Sequence, residues 1–155
     1  KKNVNYSNKV LIPWIRPKNL CKDNSSTEDV LSHAINWYNK KFGKVDGVIL
    51  LQTTSPIRSI KIANKVIKKY LKFKKTTLSV KQIKSKKKFD IKCIKKKDKF
   101  YYPNGFIYIL PQKQILKKEI YNNGSNIIID KNYYRNIDID YKEDLIKAKK
   151  FLEKN

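Results

Sequence analysis

"GVILLQTTSPIR" fills positions 47–58 and carries the clearest fold signal in the chain. Gly47 to Leu51 is an unbroken apolar run. It lacks the polar alternation of a half-exposed strand, which suits a strand covered on both faces. The polar loop Gln52–Arg58 follows, and Ile60, Ala63, Val66, Ile67 and Tyr70 then recur at helical spacing over 59–72. "TTLSVKQI" (76–83) reads as a strand again. Strand, helix and strand in this order make a βαβ unit with parallel strands. Ligands of such sheets gather beyond the carboxyl ends of the strands, so the Gln52–Arg58 loop is a candidate site.

The same pattern extends in both directions. Upstream, "VLIPWI" (10–15) reads as a short strand that Pro13 confines to an edge or a bend. "NSSTEDV" reads as a helix start, with Ser26 or Thr27 as cap and Glu28 and Asp29 at the positive helix end. Val30, Leu31, Ala34, Ile35, Tyr38 and Phe42 mark its apolar face, and Gly43 its end. Downstream, "FDIKCI" is a weak strand and "GFIYIL" (105–110) a strong one, and "PQKQILKKEI" contains a short helix. "NIIID" and "NIDID" are further strand candidates, and a last helix over 141–153 should bury Leu145, Ala148 and Leu152. The expectation is a single α/β domain with three layers and a mostly parallel sheet.

Composition bounds the class. The chain has 155 residues, 37 basic against 13 acidic, for a net charge of +24. At 40% hydrophobic content it can fold, unlike a disordered polycation. No apolar run approaches the roughly 20 residues of a membrane span, and the first nine residues do not resemble a secretory signal. Cys21 and Cys93 lack metal-type spacing and suit a reducing cytoplasm. Charge this high invites a nucleic-acid partner. Against that, 34 of the basic residues are Lys and three are Arg, and Lys, Asn and Ile make up 70 of the 155 positions. This looks like A/T-rich coding bias, whereas a dedicated phosphate binder favours the bidentate Arg. The absence of Met suggests a sequence that begins inside a longer protein.

"RNIDIDYKEDL" (135–145) concentrates acid in this cationic chain. In extended backbone Ile137 and Ile139 face one way and Asp138 and Asp140 the other. Two carboxylates that close repel unless a cation lies between them, and Mg²⁺ is commonly held by one or two carboxylates plus substrate phosphates. A second reading makes Asp140 a helix cap with Glu143 three residues on. It explains Asp140, Glu143 and Asp144 without a metal, but not Asp138.

In combination, "IPWIRPKNL", "NSSTEDVLSHA", "VILLQTTSPIR", "YPNGFIYI" and "NIDIDYKEDLIKA" resemble the acylneuraminate cytidylyltransferases, in order, over about residues 10–153. The resemblance implies a nucleotidyltransferase-like fold that uses CTP and Mg²⁺ to activate a nine-carbon keto sugar acid, releasing pyrophosphate. It implies metal binding and catalysis by Asp138 and Asp140, and nucleotide contacts from Arg16, Ser25, Ser26 and Thr27. For the sugar it implies Gln52, Arg58, Asn104, Gly105, Tyr108 and Tyr121. The chain departs from the family in three places. No Gly-rich basic triphosphate loop is present, which implies a domain incomplete at its N-terminus. Tyr102 stands where the family usually has Arg. The insert at 84–100, which serves dimerisation in the family, is short and Lys-rich here, which weakens the case for a homodimer. Two other readings compete: a non-catalytic basic nucleic-acid-binding module acting through Lys84–Lys99, and an inactive fragment that keeps the fold.

Overall fold

A computed structural model describes residues 15–22, 24–84 and 92–153. Most of "VLIPWI", half of "FDIKCI" and part of the 84–100 insert lie outside the described residues. The elements are α1 (Thr27–Phe42), β1 (Gly47–Leu50), α2 (Ile60–Phe73), β2 (Thr77–Ile83), β3 (Ile94–Lys96), β4 (Lys99–Pro111), α3 (Gln112–Leu116), β5 (Asn126–Ile129) and α4 (Lys142–Leu152). Short 3₁₀ turns lie at Lys18–Leu20 and Tyr134–Asn136. Among the described residues no helix is long and apolar enough to cross a membrane.

The fold is α/β with a mixed, open sheet. The strand order is β1-β4-β2-β5, with β3 also on β4. β1 and β2 run the same way, as the βαβ reading requires, but they are not neighbours. β4 lies between them and runs antiparallel to both, while β5 pairs parallel with β2. Strand directions are thus mostly common, but the expectation of a mostly parallel sheet needs correction at the level of pairing, because every pair that β4 makes is antiparallel. An apolar run reports burial on both faces and carries no sign of direction. The most completely buried strand takes the central position: Phe106 to Leu110 are each at most 4% exposed.

Helices cover both faces. Leu31 and Ile35 of α1 and Ile115 of α3 pack on Leu78, Val80, Tyr108 and Leu110. Ile62, Val66 and Tyr70 of α2 pack on Phe106, Ile107 and Ile109 from the other side. Each fully buried aliphatic side chain contributes roughly 1.5–3 kcal/mol. Both helix starts follow the sequence: the Ser26 oxygen accepts from Asp29 N at 3.0 Å, and that of Ser59 from Ile62 N at 3.4 Å. Tyr38 and Phe42, assigned to the apolar face of α1, are instead 42% and 56% exposed.

α4 differs from expectation too. Ala148 is buried, but Leu145 and Leu152 are 54% and 56% exposed. The helix packs on Ile57 and Ile137 through Ala148 and Phe151, and Phe151 stacks on Tyr134 with ring centroids 4.7 Å apart. Its buried face is turned toward the 134–137 segment, which a helical wheel cannot anticipate.

Candidate active site

The loop after β1 meets an irregularity in β4. Leu78 pairs with Tyr108 and Val80 with Pro103, so two steps on β2 are matched by five on β4. Asn104–Ile107 therefore bulges from the ladder. Ser79 repairs the gap: its hydroxyl accepts from Ile107 N at 3.0 Å and lies 2.6 Å from Asn104 Oδ1. The bulge carries Gly105 (φ 76°) against the Gln52 loop. A Cβ on Gly105 would stand 2.1 Å from Ser55 Oγ and 2.7 Å from Gln52 Oε1, so both the backbone and the space require glycine. Gln52 N donates to Gly105 O (3.1 Å) and Ser55 Oγ to Asn104 O (3.0 Å).

Several sequence-assigned residues are engaged by the protein's own groups. Asn104 is 4% exposed, its Oδ1 facing Ser79 Oγ and Phe106 N and its Nδ2 donating to Asn136. The Arg58 guanidinium donates to the carbonyls of Phe106 and Gln52, stapling loop to strand, and burial lowers its pKa. Tyr108 is 1% exposed, accepts from Gly105 N and meets Tyr121 edge-on at 6.2 Å. Burial is the main cause that raises both phenol pKa values, and both rings stay uncharged.

Arg16, Ser25, Ser26 and Thr27 line one cavity of about 330 Å³ together with Gln52 and Thr54. The assigned nucleotide side and the first assigned sugar contact therefore share a space at the positive end of α1.

Asp138 and Asp140 line a neighbouring cleft of about 690 Å³ with Asp130, Asp144, Lys81 and Lys147. The carbonyl of Thr54, which lines the first cavity, accepts from Ile139 N, between the two aspartates, at 2.8 Å, and this bond links the two cavities. Residues 137–140 are not a strand, since Asp140 N bonds Asp138 O at 3.2 Å in a tight turn. The facing of the residues nonetheless follows the alternation: Ile137 and Ile139 pack into the α4 cluster while both aspartates are exposed. The cap of α4 is Tyr141, whose N–H donates to the Asp144 carboxylate at 3.3 Å, one residue later than a cap at Asp140. Helix capping thus leaves Asp140 unused. Neither Asp138 nor Asp140 has a side-chain hydrogen bond or ion pair among the described residues. The ion pairs described use Asp29, Asp130, Asp144 and Glu153. Two adjacent, exposed carboxylates fit a hard divalent cation that keeps further ligands from water or substrate. Among the described residues no group of three or more His, Cys, Asp or Glu side chains is placed to hold a metal.

Sequence reasoning gave no role to Asp130, Arg135, Asn136, Ser55 and Ser79. Asp130 is 2% exposed and paired with Arg135 through two hydrogen bonds of 2.8 and 2.9 Å. The scarcity of Arg was a usable signal, because two of the three arginines prove to be structural clamps.

No protein-family model matches the chain. It is 25% identical, over 162 aligned positions, to the CMP-N,N'-diacetyllegionaminic acid synthase of Legionella pneumophila. That alignment covers 93% of this chain and 70% of the synthase. The similarity is at the level of a distant cytidylyltransferase relationship.

Proposed function

We propose that the chain carries an active site that transfers CMP from CTP to a nine-carbon keto sugar acid of the sialic type, with Mg²⁺ and with release of pyrophosphate. The observation that carries the reading is the pair Asp138 and Asp140, left without a neutralising partner among the described residues of a chain with 37 basic residues. The distant similarity to a CMP-sugar-acid synthase supports the same chemistry.

Asp138 and Asp140 hold the divalent ion, which when bound neutralises phosphate oxygens and favours pyrophosphate as leaving group. Arg16 and the hydroxyls of Ser25 and Thr27 take the nucleotide, while Ser26 is committed to capping α1. Gln52 offers both a donor and an acceptor to the sugar, and Gly105 keeps the space in front of it open. Arg58, Asn104, Tyr108 and Tyr121 shape the sugar side from behind, through the loop and the bulge they hold. The anomeric hydroxyl attacks the α-phosphorus of CTP. A new P–O bond forms as the bond to the β-phosphate bridge breaks, the hydroxyl proton passes to water, and no covalent enzyme intermediate is needed. Positioning and electrostatics supply the acceleration.

The reading includes a completing segment from a longer polypeptide. Among the described residues no strand pairs with the outer edge of β1, where Ile49 and Leu51 are 53% and 48% exposed. Pyrophosphate release from CTP, measured across a panel of sialic-type acids with and without a preceding strand-and-loop segment, tests both parts. Activity that is lost in Asp138→Asn and in Asp140→Asn supports the site; full activity in both variants overturns it.

A further inference from the structure

The turn from Asp130 to Asn136 is built more firmly than a surface loop requires. The buried Asp130 carboxylate accepts from Arg135 Nε, from the Arg135 guanidinium NH₂ and from Asn132 N at 2.8–3.0 Å. Asn132 Oδ1 accepts from Arg135 N at 3.2 Å. Asn136 Nδ2 donates to the carbonyls of Asp130 (3.0 Å) and Asn132 (2.6 Å). With both amide hydrogens committed to carbonyls, the orientation of this side chain is fixed, and its Oδ1 faces outward as an acceptor. That oxygen takes the Asn104 Nδ2 hydrogen at 2.8 Å, from the bulge that carries Gly105. One residue beyond Asn136, Ile137 is anchored in the α4 cluster, and Asp138 follows directly.

The amide–amide bond thus joins the base of the carboxylate segment to the base of the Gly105 turn, and both ends are held by further hydrogen bonds. Asn104 is itself held by Ser79, and Asn136 by a turn closed with a buried ion pair. The charge of the Asp130 carboxylate is neutralised by Arg135, which contacts both of its oxygens.

We propose that Asn136, locked by the Asp130–Arg135 pair, is a positioning residue that sets Asp138 and Asp140 against the Gly105 turn and so tunes their affinity for a divalent cation. The inference rests on the metal reading of those two aspartates. Outer partners of metal ligands typically change affinity by about 10- to 100-fold, and about 10-fold is expected here, since Asn136 acts through the backbone.

The test is Mn²⁺ titration of the full chain followed by electron paramagnetic resonance, with urea unfolding measured on the same samples. Asn136→Ala should weaken Mn²⁺ binding about 10-fold under conditions where the variant is fully folded. Arg135→Lys, which keeps the charge but loses the two-pronged contact, should weaken it in the same direction, and it serves if Asn136→Ala does not fold. A purely structural role would lower the unfolding midpoint and leave the Mn²⁺ dissociation constant of the folded protein unchanged, which overturns the proposal. Asp138→Asn with Asp140→Asn separates the two levels. If that double variant loses Mn²⁺ while Asn136→Ala binds normally, the positioning role fails and the metal reading stands. If the double variant binds as wild type does, the metal reading itself fails.

Discussion

Asp130 and the pair Asp138/Asp140 lie close in the chain and border the same cleft, yet they are treated in opposite ways. Asp130 is buried, accepts three hydrogen bonds and is neutralised by one of the three arginines. Asp138 and Asp140 are exposed and have no charge partner among the described residues, although lysine is the commonest residue in the sequence. The first arrangement is what a carboxylate needs to be part of a fold. The second sets two like charges two residues apart and gives them no side-chain partner among the described residues. A chain this rich in cations could neutralise that pair with a nearby lysine, and among the described residues none does so.

The contrast can be sharpened from its strongest side downward. Asp130→Ala should destabilise the fold by about 3 kcal/mol, since it strands the Arg135 guanidinium and opens the 130–136 turn; urea unfolding measures this. Gly105→Ala should cost about 2–3 kcal/mol, because a Cβ at φ 76° collides with Ser55 and Gln52. Calorimetric melting checks it, and a glycine replaced there without loss would mean that the bulge and the Gln52 loop can separate. Ser26→Ala, which removes the N-cap of α1, should cost about 1 kcal/mol by the same unfolding measurement.

Asp29 supplies a pH test of a half-buried carboxylate away from the two aspartates. Its hydrogen bond to Lys118, followed by that to Ser26, holds its pKa below the usual 3.8. The folded value lies below the unfolded one, so the stabilisation is complete above the ordinary carboxyl range and fades as pH falls through the lowered value. The stability advantage of wild type over Asp29→Asn at neutral pH should therefore vanish in strong acid, as read by acid titration of the unfolding midpoint.

Much of this was legible in the residues, and what was not has identifiable causes. The caps of α1 and α2, the apolar β1 and the inward isoleucines of 137–139 are set by contacts within a few residues, which composition and period reveal. The position of β4 between β1 and β2 depends on pairing across more than 50 residues of chain, and no local pattern encodes its direction. "NIDID" alternates like a strand, but the preceding turn, closed by Asp130, Arg135 and Asn136, steers it away from the sheet. Asn104 and Arg58 have the residue types of ligand contacts. The folded bulge also engages their polar groups with its own carbonyls and amides, which no local pattern reveals.

The smallest stability effect is expected at the two aspartates, and it leads to the decisive measurement. Asp138→Asn with Asp140→Asn should change stability without Mg²⁺ by no more than about 0.5 kcal/mol, in the stabilising direction as repulsion is relieved. Urea unfolding should then be repeated with rising Mg²⁺ at constant ionic strength. A ligand at ten times its dissociation constant stabilises a fold by about 1.4 kcal/mol, so the wild-type midpoint should climb with Mg²⁺ while that of the double variant stays flat. Parallel curves for the two proteins would contradict a divalent-cation site at Asp138 and Asp140.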